Sequence, residues 1–268
     1  MTNYLHGYSR EEQDRLLKQA RVFEKSIYEH VDLSRQTRLL EIGCGVGAQT
    51  QILLERFPGL HVQGIDASAP QLERARSHLA AAVAAGRASF VQGDALKLPV
   101  PDSAFDSAFV CWFLEHLADP TAALREIRRA LAPGGVVYCT EVLNATFYLH
   151  PYSPATLQYW FAFNDWQWTM QGDPFVGGKL ANLLLAAGFQ EVSTEVKVHH
   201  FDNRAPKARS EFIEDRARLL LSGADNLIAA GKVTAEVVTQ MTQELETLKT
   251  APDAVYFDAF VQARARAY

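Results

Sequence analysis

The chain has 268 residues, 48% of them hydrophobic and 21% charged, which supplies enough apolar material for one sizeable core and makes one domain with an insertion the expected organisation. A formal charge of −5 without any cluster of Lys and Arg gives no footprint for a phosphate backbone, which argues against a nucleic-acid partner, and no run reaches the ~18 apolar residues of a membrane span. The three cysteines, Cys44, Cys111 and Cys139, are scattered, with no CxxC pair and no histidines at metal-ligand spacing, so neither a disulfide framework nor a metal site is indicated.

The opening MTNYLHGYSREEQDR lacks the basic and then apolar layout of a secretory signal, so a cytoplasmic protein is expected. Residues 10–31 carry Leu16, Leu17, Ala20, Phe23 and Ile27 at helical spacing, the pattern of an amphipathic leading helix. From Arg38 short apolar runs alternate with helical stretches: a strand over 39–42, a helix over 48–57, a strand over 60–65, a helix over 70–85 and a third strand over 89–92. A strand over 105–111, a helix over 120–131 and a strand over 136–142 continue the series, with Pro133, Gly134 and Gly135 marking the last junction. Such alternation argues for βαβ units around a parallel sheet. Residues 144–173 break the rhythm with nine aromatic residues and no clear strand, and predict an inserted helical cap. Beyond it the sequence predicts a helix over 178–187 closed by Gly188, a strand over 191–198, helices over 206–222 and 234–249, and a last strand over 254–263.

Leu39-Leu40-Glu41-Ile42-Gly43-Cys44-Gly45-Val46-Gly47 is a buried-strand pattern that runs into glycines at alternate positions and then a helix. Glycines there let a ligand approach the backbone at the carboxyl edge of the sheet. They do not choose the ligand, because Gly43, Gly45 and Ala48 also satisfy the dinucleotide pattern. Asp66 ends the second strand about 20 residues later, where a carboxylate accepts from both hydroxyls of a ribose, in NAD or in S-adenosylmethionine. Asp94, in Gly93-Asp94-Ala95 after the third strand, is placed to accept from an adenine amino group or to face solvent in a loop.

Five segments, LLEIGCGVG at 39–47, VQGIDAS at 62–68, VQGDALKLPVPDSAFD at 91–106, FVCWFLEHLADP at 109–120 and LAPGG at 131–135, follow one another in an order and spacing that resembles the class I, Rossmann-like S-adenosylmethionine-dependent methyltransferases, the broad group that includes the ubiquinone/menaquinone C-methyltransferases. The resemblance covers residues 38–142, roughly two fifths of the chain, and the opening YLHGYS with EEQDRLLKQA resembles the leader helix of a subset of these enzymes. It implies a doubly wound α/β sheet of seven strands in the order 3-2-1-4-5-7-6 under a helical cap. The chain then divides into a leader (1–37), a cofactor-binding core (38–142), an aromatic cap (143–175) and C-terminal helices and strands (176–268). Carried over by motif position, Glu41, Gly43 and Gly45 line the methionine part of the cofactor, Asp66 holds the ribose with Ala67 and Gln71 beside it, and Asp94 with Ala95 holds the adenine. Cys111 and Trp112 border the sulfonium and the acceptor, and Tyr8 closes over the cofactor.

Methyl transfer from a sulfonium needs a base only when the acceptor must lose a proton. His116, after the fourth strand, is a candidate base, or else a cap of the short helix at 113–118. Glu141, near the end of the fifth strand, either points into the acceptor pocket or pairs with a helix terminus. The aromatic run at 147–168 reads as a lid over a planar acceptor or as the core of a small subdomain, with Asn144, Tyr148, Tyr159 and Asn164 as its polar groups. His150, His199 and His200 are expected to be satisfied or exposed. The expected partner is a small aromatic or heterocyclic metabolite, and the expected state a monomer or homodimer. Two other functions share the glycines: an NAD-dependent dehydrogenase, which leaves Asp94 and the last strand unexplained, and a non-catalytic S-adenosylmethionine-binding protein.

Overall fold

The computed structural model describes residue 7 and residues 9–268. The leader forms α1 (Arg10–Val22), whose first turn is capped by the Ser9 hydroxyl accepting from the Glu12 amide, and α2 (Glu24–Tyr28). The single leading helix expected from periodicity is thus broken at Phe23, whose φ of −93° and ψ of 0° leave the helical region. The core follows as β1 (Arg38–Ile42), α3 (Ala48–Arg56), β2 (His61–Asp66), α4 (Ala69–His78), α5 (Ala80–Ala84), β3 (Ala88–Gln92), β4 (Phe105–Cys111), α6 (Pro120–Ala130) and β5 (Leu131–Val142). The helix expected over 70–85 is divided at Leu79, and β5 begins five residues earlier than the apolar run, because Leu131 already pairs with Phe105 across a register shift.

The cap region contains β6 (Tyr148–His150) and α7 (Pro154–Thr169); then come α8 (Leu180–Ala186), β7 (Gln190–Phe201), α9 (Pro206–Ser222), α10 (Ala224–Ala229), α11 (Ala235–Thr250) and β8 (Val255–Arg266). Strands β1 to β5 are parallel, and the sheet runs β3-β2-β1-β4-β5-β8, with β8 antiparallel to β5, β6 and β7. Without the short β6 this is the doubly wound order the sequence led us to expect. The addition is β6, three residues that continue the edge of β5 along β8 and that no periodicity could announce.

Both faces of the sheet are covered, which is why its strands read as nearly continuous apolar runs. Leu39, Phe109, Tyr138 and Phe260 face the layer built from the leader, α3, α9 and α11, whereas Leu40, Ile42, Val110, Val137 and Cys139 face α6 and α8. Glu41 and Glu141 break these runs, one on each face and both buried. The cap is tied to the far end of the chain: the Glu244 carboxylate of α11 accepts from the amides of Ala155 and Thr156 at 3.0 and 2.7 Å, satisfying the first turn of α7.

Candidate functional site

At the carboxyl edge of the sheet, β1 ends in a turn that folds back over β2: the amides of Gly43 and Cys44 both donate to the Ile65 carbonyl, at 2.8 and 3.2 Å. Gly43, with φ +69°, has the Phe113 ring so close that a Cβ would stand 2.3 Å from it. Gly45, with φ +51°, has nothing within 4 Å of where a Cβ would be, so its backbone is open to an approaching group. Asp66 locks the turn to the end of β2, one oxygen accepting from the Gly45 amide at 2.9 Å and the other from the Ser68 amide at 2.8 Å. Each oxygen keeps a lone pair, so the carboxylate can still accept two hydroxyls. Burial raises the Asp66 carboxyl above its usual range, against the pull of the backbone amides. Glu41, on the same face of the sheet, accepts from the Thr50 hydroxyl; burial pushes its carboxyl up to about 8, Thr50 opposing and the Asp66 charge adding to the rise.

The other expected residues surround this pair. The Ala67 carbonyl accepts from Gln92 at 2.9 Å. Gln71 is buried on α4 and accepts from Gln13 of α1 at 2.9 Å, and Arg74 reaches Asp14 at 2.8 Å, so the leader lies across the start of α4. Asp94 is exposed and closes its own loop by accepting from the Leu96 amide at 2.9 Å, with Ala95 buried beneath it. Tyr8 lies outside the described residues.

The opposite wall begins where β4 ends. Trp112 has φ +51°, an uncommon conformation for a bulky residue, held by its amide donating to the Thr140 carbonyl at 2.8 Å. Glu141 holds the next residues: Oε1 accepts from the amides of Phe113 and Leu114 at 3.0 and 2.8 Å, and Oε2 from Glu115 at 3.4 Å. Its carboxylate therefore caps the 3-10 turn Leu114–His116, and burial with the neighbouring Glu115 pushes it up to about 8. His116 is partly exposed, its Nε2 3.9 Å from Glu115, and lies close enough to Asp66 to favour that carboxylate's charge. From α7, Gln167 donates to the Glu115 carboxylate at 2.8 Å, while its own buried Oε1 has no partner among the described residues.

The aromatic cap has two sides. Tyr159, Trp160 and Phe163 are buried with Asn164 and Gln167 on one helical stripe of α7, whereas Phe161 and Trp168 face out. Asn144 and Asn164 bond each other at 2.8 Å, Tyr159 donates to the Leu220 carbonyl, and Tyr148 is exposed. Gln167 and Phe23 are the wall residues that motif reasoning missed. A helical wheel over 156–167 would have put Gln167 inward, but no local signal predicts that Phe23 stands edge-on to Trp112 at 4.9 Å.

The family described as "Methyltransferase domain" matches residues 40–139. The demethylmenaquinone methyltransferase of Thermus thermophilus is 41% identical over 104 residues, covering 39% of this chain and 46% of that protein. The O-methyltransferase rstn1 of Aspergillus nomiae is 31% identical over 137 residues, covering 50% and 60% respectively. The matched stretch thus spans about half the length of these curated relatives. Among solved structures, the [4+2]-cyclase SpnF superposes with a TM-score of 0.57 at 23% identity over 93% of this chain and 82% of that one. Phosphoethanolamine N-methyltransferase 2 of Haemonchus contortus, in complex with S-adenosyl-L-methionine, gives 0.56 at 20% identity over 93% and 52%. At such identities these likenesses show the fold. The matched segment shows a methyltransferase domain over residues 40–139, and the order of the sheet around it is that of the Rossmann-like methyltransferase fold.

Proposed function

We infer that the protein transfers a methyl group from S-adenosylmethionine to a small aromatic or heterocyclic acceptor. The observation that carries this reading is the buried Glu41 beside the half-buried Asp66, the latter tied to the glycine turn through the Gly45 amide, with no ion pair to either among the described residues. Carboxylates withdrawn from solvent without a cationic side chain suit a cofactor that brings its own positive charge, and the open face of Gly45 gives it room. Bound there, S-adenosylmethionine supplies a methyl group already activated on sulfur, so positioning, worth on the order of 7–11 kcal/mol, is the larger part of the protein's task.

Asp66 accepts the ribose hydroxyls, with Ala67 and Gln71 beside it; Asp94 and Ala95 hold the adenine edge, and Glu41, Gly43 and Gly45 line the methionine part. Cys111 and Trp112 border the reacting atoms, and Glu141 keeps Trp112 and Phe113 in place through the amides it caps. We place His116 on the cofactor side of the site because of its proximity to Asp66. The cap and the leader exclude water. A small-molecule acceptor and a cytoplasmic location go with this reading; among the described residues no helix is long and apolar enough to cross a membrane.

Calorimetric titration with S-adenosylhomocysteine and with NAD, on the native chain and on Asp66→Ala, tests it. Micromolar binding of S-adenosylhomocysteine alone, lost in the variant, is the expected result, and binding of NAD alone overturns it.

A further inference from the structure

Strand β7 ends the sheet: it pairs with β8, and among the described residues no hydrogen bond reaches the backbone groups on its other edge. Its alternate residues face opposite ways. Thr194, Val196 and Val198 stand on the face of Val261 and α8, whereas Glu195, Lys197 and His199 stand on the face of Phe260 and the leader. Val196 is 59% and Val198 52% exposed, two branched apolar side chains in the middle of an open edge. Long edges are usually blunted by a proline, by a bulge, or by a charge that pairing would bury alone. Residues 190–201 hold no proline, and the bulge lies at one end, at Glu191 with φ +49°, leaving Ser193 to Phe201 in unbroken register with β8. Lys197 is already buried, its ammonium 2.8 Å from Glu195 and 2.9 Å from His30 Nδ1, so the addition of a strand removes little further water from its charge.

The residues of this edge also say what fits it. When two copies meet along β7 about a two-fold axis, the strands run antiparallel, and residues placed opposite each other share a face. Because neighbours along a strand face opposite ways, the axis passes through a residue and never between two. An axis at Glu195 or at Lys197 sets a charge opposite its own like. At Thr194 it needs the bulge, since Lys197 then falls opposite Glu191. At Val198 it sets Lys197 opposite His199 and Glu195 opposite Phe201, with no opposite charges matched. At Val196 it sets Glu195 opposite Lys197 of the second copy, twice over by symmetry. On the other face Val196 then meets Val196 of the second copy, and each Val198 meets a Thr194, so both exposed valines are covered by good strand formers.

We propose that the protein forms a two-fold dimer through β7, centred on Val196, in which the two sheets join edge to edge. The occupant of the open edge is a second copy of this chain, and the stretch Ser193 to His199 pairs with itself. The two new ion pairs stand beside the one that each chain already has between Glu195 and Lys197, so four charges of alternating sign gather about the axis. His30, just beyond α2, joins them with its Nδ1 2.7 Å from Glu195. The leader that lies across the start of α4 is thereby tied at its other end to the interface. Both copies use the same edge for one contact, so the assembly closes at two chains. This dimer does not depend on the methyl-transfer reading.

Sedimentation of the full chain at micromolar concentration tests it, and the expected species contains two chains. Glu195→Lys sets like charges opposite each other at both pairs and should weaken the dimer by about tenfold or more, and exchanging the charges, Glu195→Lys with Lys197→Glu, should restore it. Mild oxidation reads the register. Val196→Cys places its thiol on the axis and should form a disulfide between chains, whereas Val198→Cys stands about 14 Å from its counterpart and should not. The native chain, with Cys44 and Cys139 buried and Cys111 half-buried, is the control. A monomer, a series of larger assemblies, a dimer indifferent to Glu195→Lys, or a disulfide that fails at Val196→Cys or forms as readily at Val198→Cys overturns the proposal. If the charge variants do not fold, the two cysteine variants decide, because both positions are exposed in the single chain.

Discussion

Between Ile42 and Ala48 three glycines take left-handed conformations, and each is fixed through its amide hydrogen: Gly43 donates to the Ile65 carbonyl, Gly45 to Asp66 and Gly47 to the Cys44 carbonyl. From Phe147 to Trp168 rings fix rings: Phe147 lies 4.8 Å from Trp160, which stacks on Phe163 at 5.7 Å. A turn held by directed hydrogen bonds has one shape and presents it to a ligand whose chemistry is constant. A wall held by packing keeps its position yet leaves its outer face free to vary, as suits the acceptor side.

This contrast can be broken at several places. The largest expected effect is in the cap, where Phe163→Ala removes a ring only 6% exposed and should cost about 3–5 kcal/mol of stability in denaturant unfolding. Next is the turn: Gly43→Ala combines a left-handed φ with a Cβ driven into the Phe113 ring, and should cost about 2–3 kcal/mol in the same measurement. A loss there no larger than that of an exposed substitution would mean the turn yields, and the contrast fails.

Glu41 sharpens it through pH. Its carboxyl keeps its proton in the folded chain up to about 8, against 4.5 for an ordinary glutamate, so over that window the unfolded chain has released a proton that the folded chain holds. Stability therefore falls as pH rises from 4.5 through about 8 and levels off above it. Glu141, also pushed up to about 8, contributes a second such fall. Glu41→Gln should roughly halve the decline of Tm across the window; an unchanged decline would show that Glu41 is ionised in the folded chain. The smallest effect belongs to Trp168→Ser on the outer face of the cap, 57% exposed, which should leave stability within about 0.5 kcal/mol.

The glycine turn and Asp66 could be read from the sequence because their geometry is local: a strand, three glycines and a carboxylate follow in a fixed spacing. The order of the sheet was legible for a related reason, since parallel strands covered on both faces leave apolar runs between helical ones. What escaped depends on partners distant in the chain. Tyr148–His150 forms a strand only because β8 offers an edge, and Phe23 leaves its helix to meet Trp112 and Phe212. Glu141 was legible as a carboxylate near the site, but its bonds to Phe113 and Leu114 follow from the left-handed backbone at Trp112, which no residue type announces. His199 and Asp258 are 59 positions apart and meet only through the pairing of β7 with β8.

That pairing has a consequence for how the chain is made. Among the described residues strand β8 is the sole strand partner of both β6 and β7 and one of the two partners of β5, yet it occupies residues 255–266 and is synthesised after all of them. Until it leaves the ribosome, three earlier strands wait with open edges, and the twelve residues of β7 have no neighbour. A nascent chain stalled before residue 255 is therefore a template for intermolecular strand pairing, at edges that β8 covers once it is made.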